Sequence, residues 1–224
     1  APRSEPADVL HLGISAAQES PENSATVRLR ARPEANLAEH FLLDTGALDQ
    51  VDRIRRSGLD ALWIKGGFSL QGEWLQARLA RAAGLGDART RGHYLMASWV
   101  PGGASRSYSS SGVGNVKPGD GAASAFEFLL RYSHAEADSG VAPEHRAHSW
   151  TLGSNWYLGQ YLKFQLNLVH VHSAQPALLD DHRSRFTFTP DYPRRDVIQS
   201  VGGLPVFSRK DVEENDRDLE QPMR

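Results

Sequence analysis

From Ala125 to His134, apolar and polar positions alternate with a period of two. Phe126, Phe128, Leu130 and Tyr132 fall on one face, and Glu127, Leu129, Arg131 and Ser133 on the other. A strand sends successive side chains to opposite faces, whereas a helix would scatter these residues around its circumference. The pattern recurs downstream. Trp150, Leu152, Trp156 and Leu158, with Ser154 among them, oppose Thr151, Gly153, Asn155 and Tyr157; Leu162, Phe164, Leu166 and Leu168 oppose Lys163, Gln165, Asn167 and Val169. Gly159-Gln160 reads as a tight hairpin connection between those two segments, and Gly66-Gly67 as another, between Trp63-Ile64-Lys65 and the run from Phe68 to Trp74. Further strands are expected near Val9 to Ala17, Ala25 to Arg32, Glu39 to Thr45 and His93 to Val100. A short one at Arg185 to Thr189 should stop at Pro190, which has no donor for a ladder. The expectation is an all-β chain: an antiparallel up-and-down sheet of roughly nine to ten strands.

An amphipathic sheet of this length either buries its apolar face against a second sheet or turns it toward lipid. No apolar run approaches the roughly 20 residues of a membrane helix, and mean hydropathy is −0.47. Neither fact bears on a transmembrane β-barrel, whose alternation of lipid-facing and lumen-facing residues cancels in the average. The absence of Cys excludes disulfides, thiolate metal sites and cysteine nucleophiles. With 25 basic and 27 acidic residues the net charge is −2, so no global basic field points to nucleic acid. Lys65, Lys117, Lys163 and Lys210 are the only lysines; the other 21 basic residues are arginine, whose planar fork of donors suits oxyanions. The chain opens at Ala1 without an initiator Met and is expected to be processed or a piece of a longer protein. Residues 1–189 are read as the barrel segment. Residues 190–224, polar and strongly acidic between Asp211 and Glu220, are read as a loosely ordered tail unrelated to it.

Thr26-Val27-Arg28-Leu29-Arg30-Ala31-Arg32-Pro33 carries the most chemistry, because Arg28, Arg30 and Arg32 share one strand face about 7 Å apart. Each would cost about 2–4 kcal/mol at a lipid midplane, so the three must face water. Their mutual repulsion calls for an anion or for facing carboxylates. One reading is a ladder of anion sites along a pore; the other is an exposed strand face of a soluble sheet with cross-strand Glu partners. Lys65, Arg131 and Lys163 are expected on the faces opposite the apolar ones and could extend a basic lining. Lys117 lies in the long Gly/Ser-rich connection from Pro101 to Ala122, which reads either as a loose surface loop or as a loop that folds inward and narrows a lumen; on the second reading Lys117 is a candidate constriction cation. His170 and His172 fit interfacial anchoring better than a metal site, and no zinc-hydrolase spacing occurs. Asp44-Thr45-Gly46 is superficially similar to an aspartic-protease triplet but occurs once, and Ser109-Ser110-Ser111-Gly112 lacks a nucleophile-elbow context.

Several stretches, taken together and in order from about Leu10 to about Arg185, resemble the phosphate- and polyphosphate-selective porins of Gram-negative outer membranes. They are TVRLRARPE, FLLDTGALDQVDR, GGFSLQGEWLQARL, YLMASWVPGG, SGVGNVKPGDG, AFEFLLRYSH and HSWTLGSNWYLGQYLKFQLNLVHVH. The resemblance implies a closed transmembrane barrel of about 16 strands in the cell outer membrane, assembled as homotrimers, with an arginine ladder that draws phosphate to a constriction of lysines. Arg28, Arg30 and Arg32 resemble part of that ladder. The chain resembles roughly the C-terminal half of such a porin, and the resemblance fails after Phe186-Thr187-Phe188, where GGLPVFSRKDVEEN is faintly similar to the lead-in of a cytochrome-b5-like domain without its haem motif. The expected function is passive conduction of inorganic phosphate or polyphosphate, with outer-membrane lipid as surroundings, no covalent chemistry, no cofactor and no metal. Two alternatives stand beside it: a soluble β-barrel or sandwich that binds an acidic ligand, and a non-conducting porin fragment with unpaired edges.

Overall fold

The computed structural model describes residues 8–21, 25–31, 41, 43–82, 84–109, 112–116, 118, 122–140, 145–159, 162–173 and 185–191. The strands are β1 (Asp8–Glu19), β2 (Ala25–Ala31), β3 (Leu43–Lys65), β4 (Phe68–Arg81), β5 (Ala88–Trp99), β6 (Arg106–Ser109), β7 (Gly112–Val116), β8 (Ser124–Asp138), β9 (His145–Leu158), β10 (Leu162–Ser173) and β11 (Arg185–Asp191). All pairings are antiparallel. One sheet of nine strands runs β1-β3-β4-β5-β8-β9-β10-β11, with β2 also on β3, and β6–β7 form a separate hairpin. Sequential neighbours therefore pair in an up-and-down order, and the sheet is not closed among the described residues: no pairing joins β1 to β11.

The two faces differ as the alternation requires. Cross-strand register aligns Phe68, Trp99 and Phe128 in one row, Trp63, Leu70, Ala97, Leu130 and Leu152 in the next, and Leu12, Leu95, Tyr132 and Trp150 in a third. Except for the half-buried Tyr132 these side chains are exposed although apolar, with Leu152 at 59% and Phe128 at 46%, and Leu10, opposite Trp63, is at 71%. An apolar face this continuous and uncovered is what lipid, not water, would surround. No second sheet covers it among the described residues, so the dry inter-sheet core of a sandwich is not formed. On β8 the belt runs from Phe126 to His134, about 27 Å along the strand and about 21 Å along a membrane normal at a tilt of about 40°, close to the apolar band of outer-membrane barrels.

A fourth row ends the belt: Trp74, His93, His134, His148 and His172 stand side by side across β4, β5, β8, β9 and β10. The imidazoles of His93 and His134 lie 5.2 Å apart, and those of His148 and His172 5.0 Å apart. No group of three or more potential ligands capable of holding a metal occurs among the described residues. His172 stands in a row of rings beside Tyr132 and Trp150, the kind of place where rings with one polar edge settle.

Three boundaries differ from the sequence expectation. First, β3 is one strand of 23 residues that joins the expected Glu39–Thr45 and Trp63–Lys65 segments. Its middle is polar on both faces, which hid the alternation. Second, β11 continues through Pro190, opposite Phe164, to Asp191; as the last strand of the sheet it can turn the missing donor away from its neighbour. Third, Leu158 pairs with Leu162, so three residues rather than two separate β9 and β10. Residues 192–224, the body of the expected tail, lie outside the described residues.

Candidate functional site

The opposite face of the sheet is polar, and it carries two inward-folded hairpins. The first is β6–β7, which lies within the long connection from Pro101 to Ala122. Arg106 Nε donates to Glu127 Oε1 at 2.5 Å, and Asn155 Nδ2 and the Tyr157 hydroxyl both donate to Glu127 Oε2 at 2.8 Å. Glu127 has 0% of its surface exposed. A carboxylate taken wholly out of water survives only when paired and hydrogen-bonded on both oxygens, and this one is. Val100, Val116, Ala125 and Tyr157 close an apolar plug beside it. At the tip of the hairpin the Tyr108 hydroxyl lies 2.8 Å from Nδ1 of His11 on β1, and His11 Nε2 lies 3.0 Å from Asp60 on β3. Gly13 makes that possible, since a Cβ there would collide with the Asp60 carboxylate. The connection is therefore folded onto the polar face from β8–β9 across to β1, the inward of the two readings the sequence left open.

The second hairpin is β2 with the upper part of β3. β1 pairs with residues 54–65 of β3 and β2 with residues 43–51, so the two lie end to end along one edge. A 23-residue strand would extend about 76 Å, far beyond a membrane. Instead β3 is bent by a register shift between Val51 and Arg53, next to Gln50 with φ of 57° and below Gly46 with φ of 69°. Such bulges add curvature, and positive φ is rare outside Gly. Leu29, Leu48, Val51, Ile54 and Leu79 form the core that holds the bend. Beyond it Leu43 packs on Ala147, with Ala31, Ala135 and Val171 around them. The hairpin thereby borders a cavity of about 380 Å³ between its Leu29–Ala31 segment and the polar face, lined also by Arg56, Glu73 and Thr90.

The arginines of β2 are treated unequally. A register shift separates Arg28, opposite Ala47, from Arg30, opposite Asp44, so the even spacing of a regular strand is lost. Arg28 donates from Nε and a terminal nitrogen to the two oxygens of Asp44 at 2.8 and 2.6 Å, a bidentate fork. Asp44 also accepts from the Gly46 backbone at 2.9 Å, and Thr45 Oγ1 accepts from Leu29 N at 3.0 Å. The Asp44-Thr45-Gly46 triplet is thus the hub of a bulge. Arg30 lies over the Phe41 ring at 4.6 Å and lines the cavity. Arg32 and Lys117 lie outside the described residues.

Arg131 stands on the polar face, with its guanidinium 4.0 Å from the centre of the Tyr94 ring and its Nε donating to Ser133. Tyr94 in turn accepts from Gln71 at 2.9 Å. Lys163 is on the same face, 6.0 Å from the Tyr157 ring, near the β9–β10 turn. Lys65 is not: it pairs directly with Phe68 and shares the parity of Trp63, so it projects from the apolar face at the hairpin end. The expectation that it opposes the apolar residues does not match its register, because a residue two positions from Trp63 must share Trp63's side. Sequence reasoning missed Arg106, Glu127, Tyr108 and His11. A lone carboxylate between Phe126 and Phe128 was the available signal for Glu127; its partner lies 21 residues away in a loop, and nothing local names it.

A two-faced antiparallel sheet with an exposed apolar belt, a ring girdle at its rim and hairpins folded over its polar face has the one-sided build of a transmembrane β-barrel wall. The model of the phosphate-selective porin O and P family matches residues 1–187. The chain belongs to that family. Porin O of Pseudomonas aeruginosa is similar to it, at 28% identity over 200 residues, covering 75% of this chain and 45% of the relative. The chain thus spans less than half the length of that curated porin. Membership of the family accounts for the uncovered apolar belt.

Proposed function

We propose that the chain forms part of the wall of an outer-membrane porin that passively conducts anions, phosphate or polyphosphate, through a basic lumen. The observation that carries this reading is the inward β6–β7 hairpin, tied by Arg106 to Glu127 on the face opposite the apolar belt. The family that matches is described as phosphate-selective, and the arginine bias of this chain suits the same chemistry. Glu127 is buried beneath Arg106, so a passing solute does not meet it as a free charge. Arg30 at the cavity, and Arg131 and Lys163 lower on the polar face, are among the described cations that an anion would meet; Arg32 and Lys117 are proposed to extend this lining. Arg28 is the weakest rung, being committed to Asp44.

The mechanism is exchange of hydration for charge-assisted hydrogen bonds. A guanidinium offers two parallel donors to one phosphate, raises its local concentration, and releases it to the next site when no single site is too tight. The open edges impose a condition. An unpaired strand edge is not tolerated in hydrocarbon, so β1 and β11 must be paired, with each other, with further strands or in the homotrimer the family resemblance implies. The open edges among the described residues also favour a second reading, a non-conducting fragment. Titrating phosphate into a chloride-bathed bilayer tests the proposal: micromolar to millimolar phosphate should lower the chloride current. Chloride current indifferent to phosphate would contradict phosphate binding in the lumen, and no current at all would support the fragment.

A further inference from the structure

Beyond the histidine girdle, the outer face changes from apolar to arginine-rich. The first row past it aligns Gln76, Arg91, Glu136 and Arg146; the second aligns Gln18, Arg55, Arg78, Arg89 and Asp138. In the second row, Arg55, Arg78 and Arg89 are directly opposite one another on three adjacent strands, about 5 Å apart. All three are exposed and share the face of Leu59, Trp74 and His93. Like charges directly opposite in a sheet repel and destabilise it. The partner that the structure gives Arg55 is a neutral amide, Gln18 Oε1 at 3.0 Å. Arg91 pairs with Glu136, and Asp138 closes the row beside Arg89, so the two rows together hold five arginines against two carboxylates.

The position of the row matters as much as its charge. It lies four residues beyond the Trp74–His93 row, about 13 Å along the strand and about 10 Å along the membrane normal. Arginine side chains reach back along their own apolar stems by several ångströms. Their guanidiniums therefore fall in the headgroup layer that borders the hydrocarbon, which is only about 5–8 Å thick on each side. Phosphate is the group in that layer with the charge and geometry for a guanidinium fork.

We propose that Arg55, Arg78 and Arg89 form an outward-facing docking row for the phosphate groups of anionic membrane lipid. The row stands apart from the conduction pathway, because its residues share the lipid side of the sheet, and it rests on the reading of the apolar belt as membrane-embedded. Bound headgroup phosphates bridge neighbouring guanidiniums and convert their repulsion into a cross-strand clamp over β3, β4 and β5.

Tryptophan quenching by brominated lipids tests this on the full chain, since Trp74 lies on the same face as Arg78, four residues away. Brominated phosphatidylglycerol should quench more strongly than an equal fraction of brominated phosphatidylcholine, with an apparent preference of roughly fivefold or more. In the R55Q/R78Q/R89Q variant that preference should fall toward one while quenching by brominated phosphatidylcholine stays unchanged, and Arg89→Gln alone should give an intermediate loss. A preference retained in both variants, or absent from the unaltered chain, overturns the proposal. Loss of the preference on adding inorganic phosphate at constant ionic strength would assign the row to a soluble anion and overturn the lipid partner. No quenching by brominated phosphatidylcholine at all would instead contradict the membrane reading, and the proposal with it.

Discussion

Arg106 and Glu127 meet at 2.5 Å across 21 residues of chain, and the carboxylate has no exposed surface. This pair fixes the β6–β7 hairpin to the wall. Glu127→Gln keeps the shape that Asn155 and Tyr157 bond but leaves Arg106 uncompensated at 14% exposure. Breaking one partner out of a buried pair costs about 3–5 kcal/mol. The expected outcome is a loss of that size in denaturant unfolding and faster tryptic cleavage after Arg106. A variant as stable and as resistant as the parent would show that the hairpin is held by other contacts.

At the other end of the hairpin the Tyr108 hydroxyl contacts His11 in a partly exposed setting. Tyr108→Phe should cost only about 0.5–1 kcal/mol, the net worth of an ordinary hydrogen bond. Amide exchange should accelerate over residues 106–116 and not in β8 or β9. Equal acceleration throughout would mean that the contact supports the whole sheet.

The alternation in β8, β9 and β10 was legible because one face is large and apolar and the other polar, so a period of two is visible in composition alone. The middle of β3 was not, since Asp49, Asp52, Arg53 and Arg55 make both faces polar beyond the belt and erase the contrast. The length of the long connection and the end of the sheet at which it lies marked it as unusual, but a loose surface loop and an inward fold fitted them equally, and the contacts of β6–β7 decide for the second. Those contacts were not legible, because a buried carboxylate and an arginine in a distant loop become neighbours only through the fold. Arg28 shows the converse. Its spacing suggested a rung of a ladder, and the register shift handed it to Asp44.

The Arg28–Asp44 fork gives a prediction with a direction. Asp44→Ala strands both the guanidinium and the Gly46 amide, whereas Arg28→Ala leaves Asp44 still bonded to Gly46. Asp44→Ala should therefore be the more destabilising of the two. A double-mutant cycle should return a coupling of about 0.5–1.5 kcal/mol, reduced by solvent because Arg28 is 41% exposed. A coupling near zero would mean that the fork is not maintained in solution.

Arg131 and Lys65 separate the two faces functionally. Arg131→Gln removes a cation from the polar face and should lower anion preference measurably in planar bilayers. Lys65→Gln, on the apolar face beside Phe68, should leave the reversal potential where it was. The opposite ranking would invert the assignment of faces.

The zero-current potential of the chain in planar bilayers, across a tenfold potassium chloride gradient, tests the central claim most directly. The account predicts a potential with the sign of an anion-selective pathway, diminished in Arg131→Gln and collapsing further when Lys163 is neutralised as well. A cation-selective potential, or one unaffected by both substitutions, would contradict it.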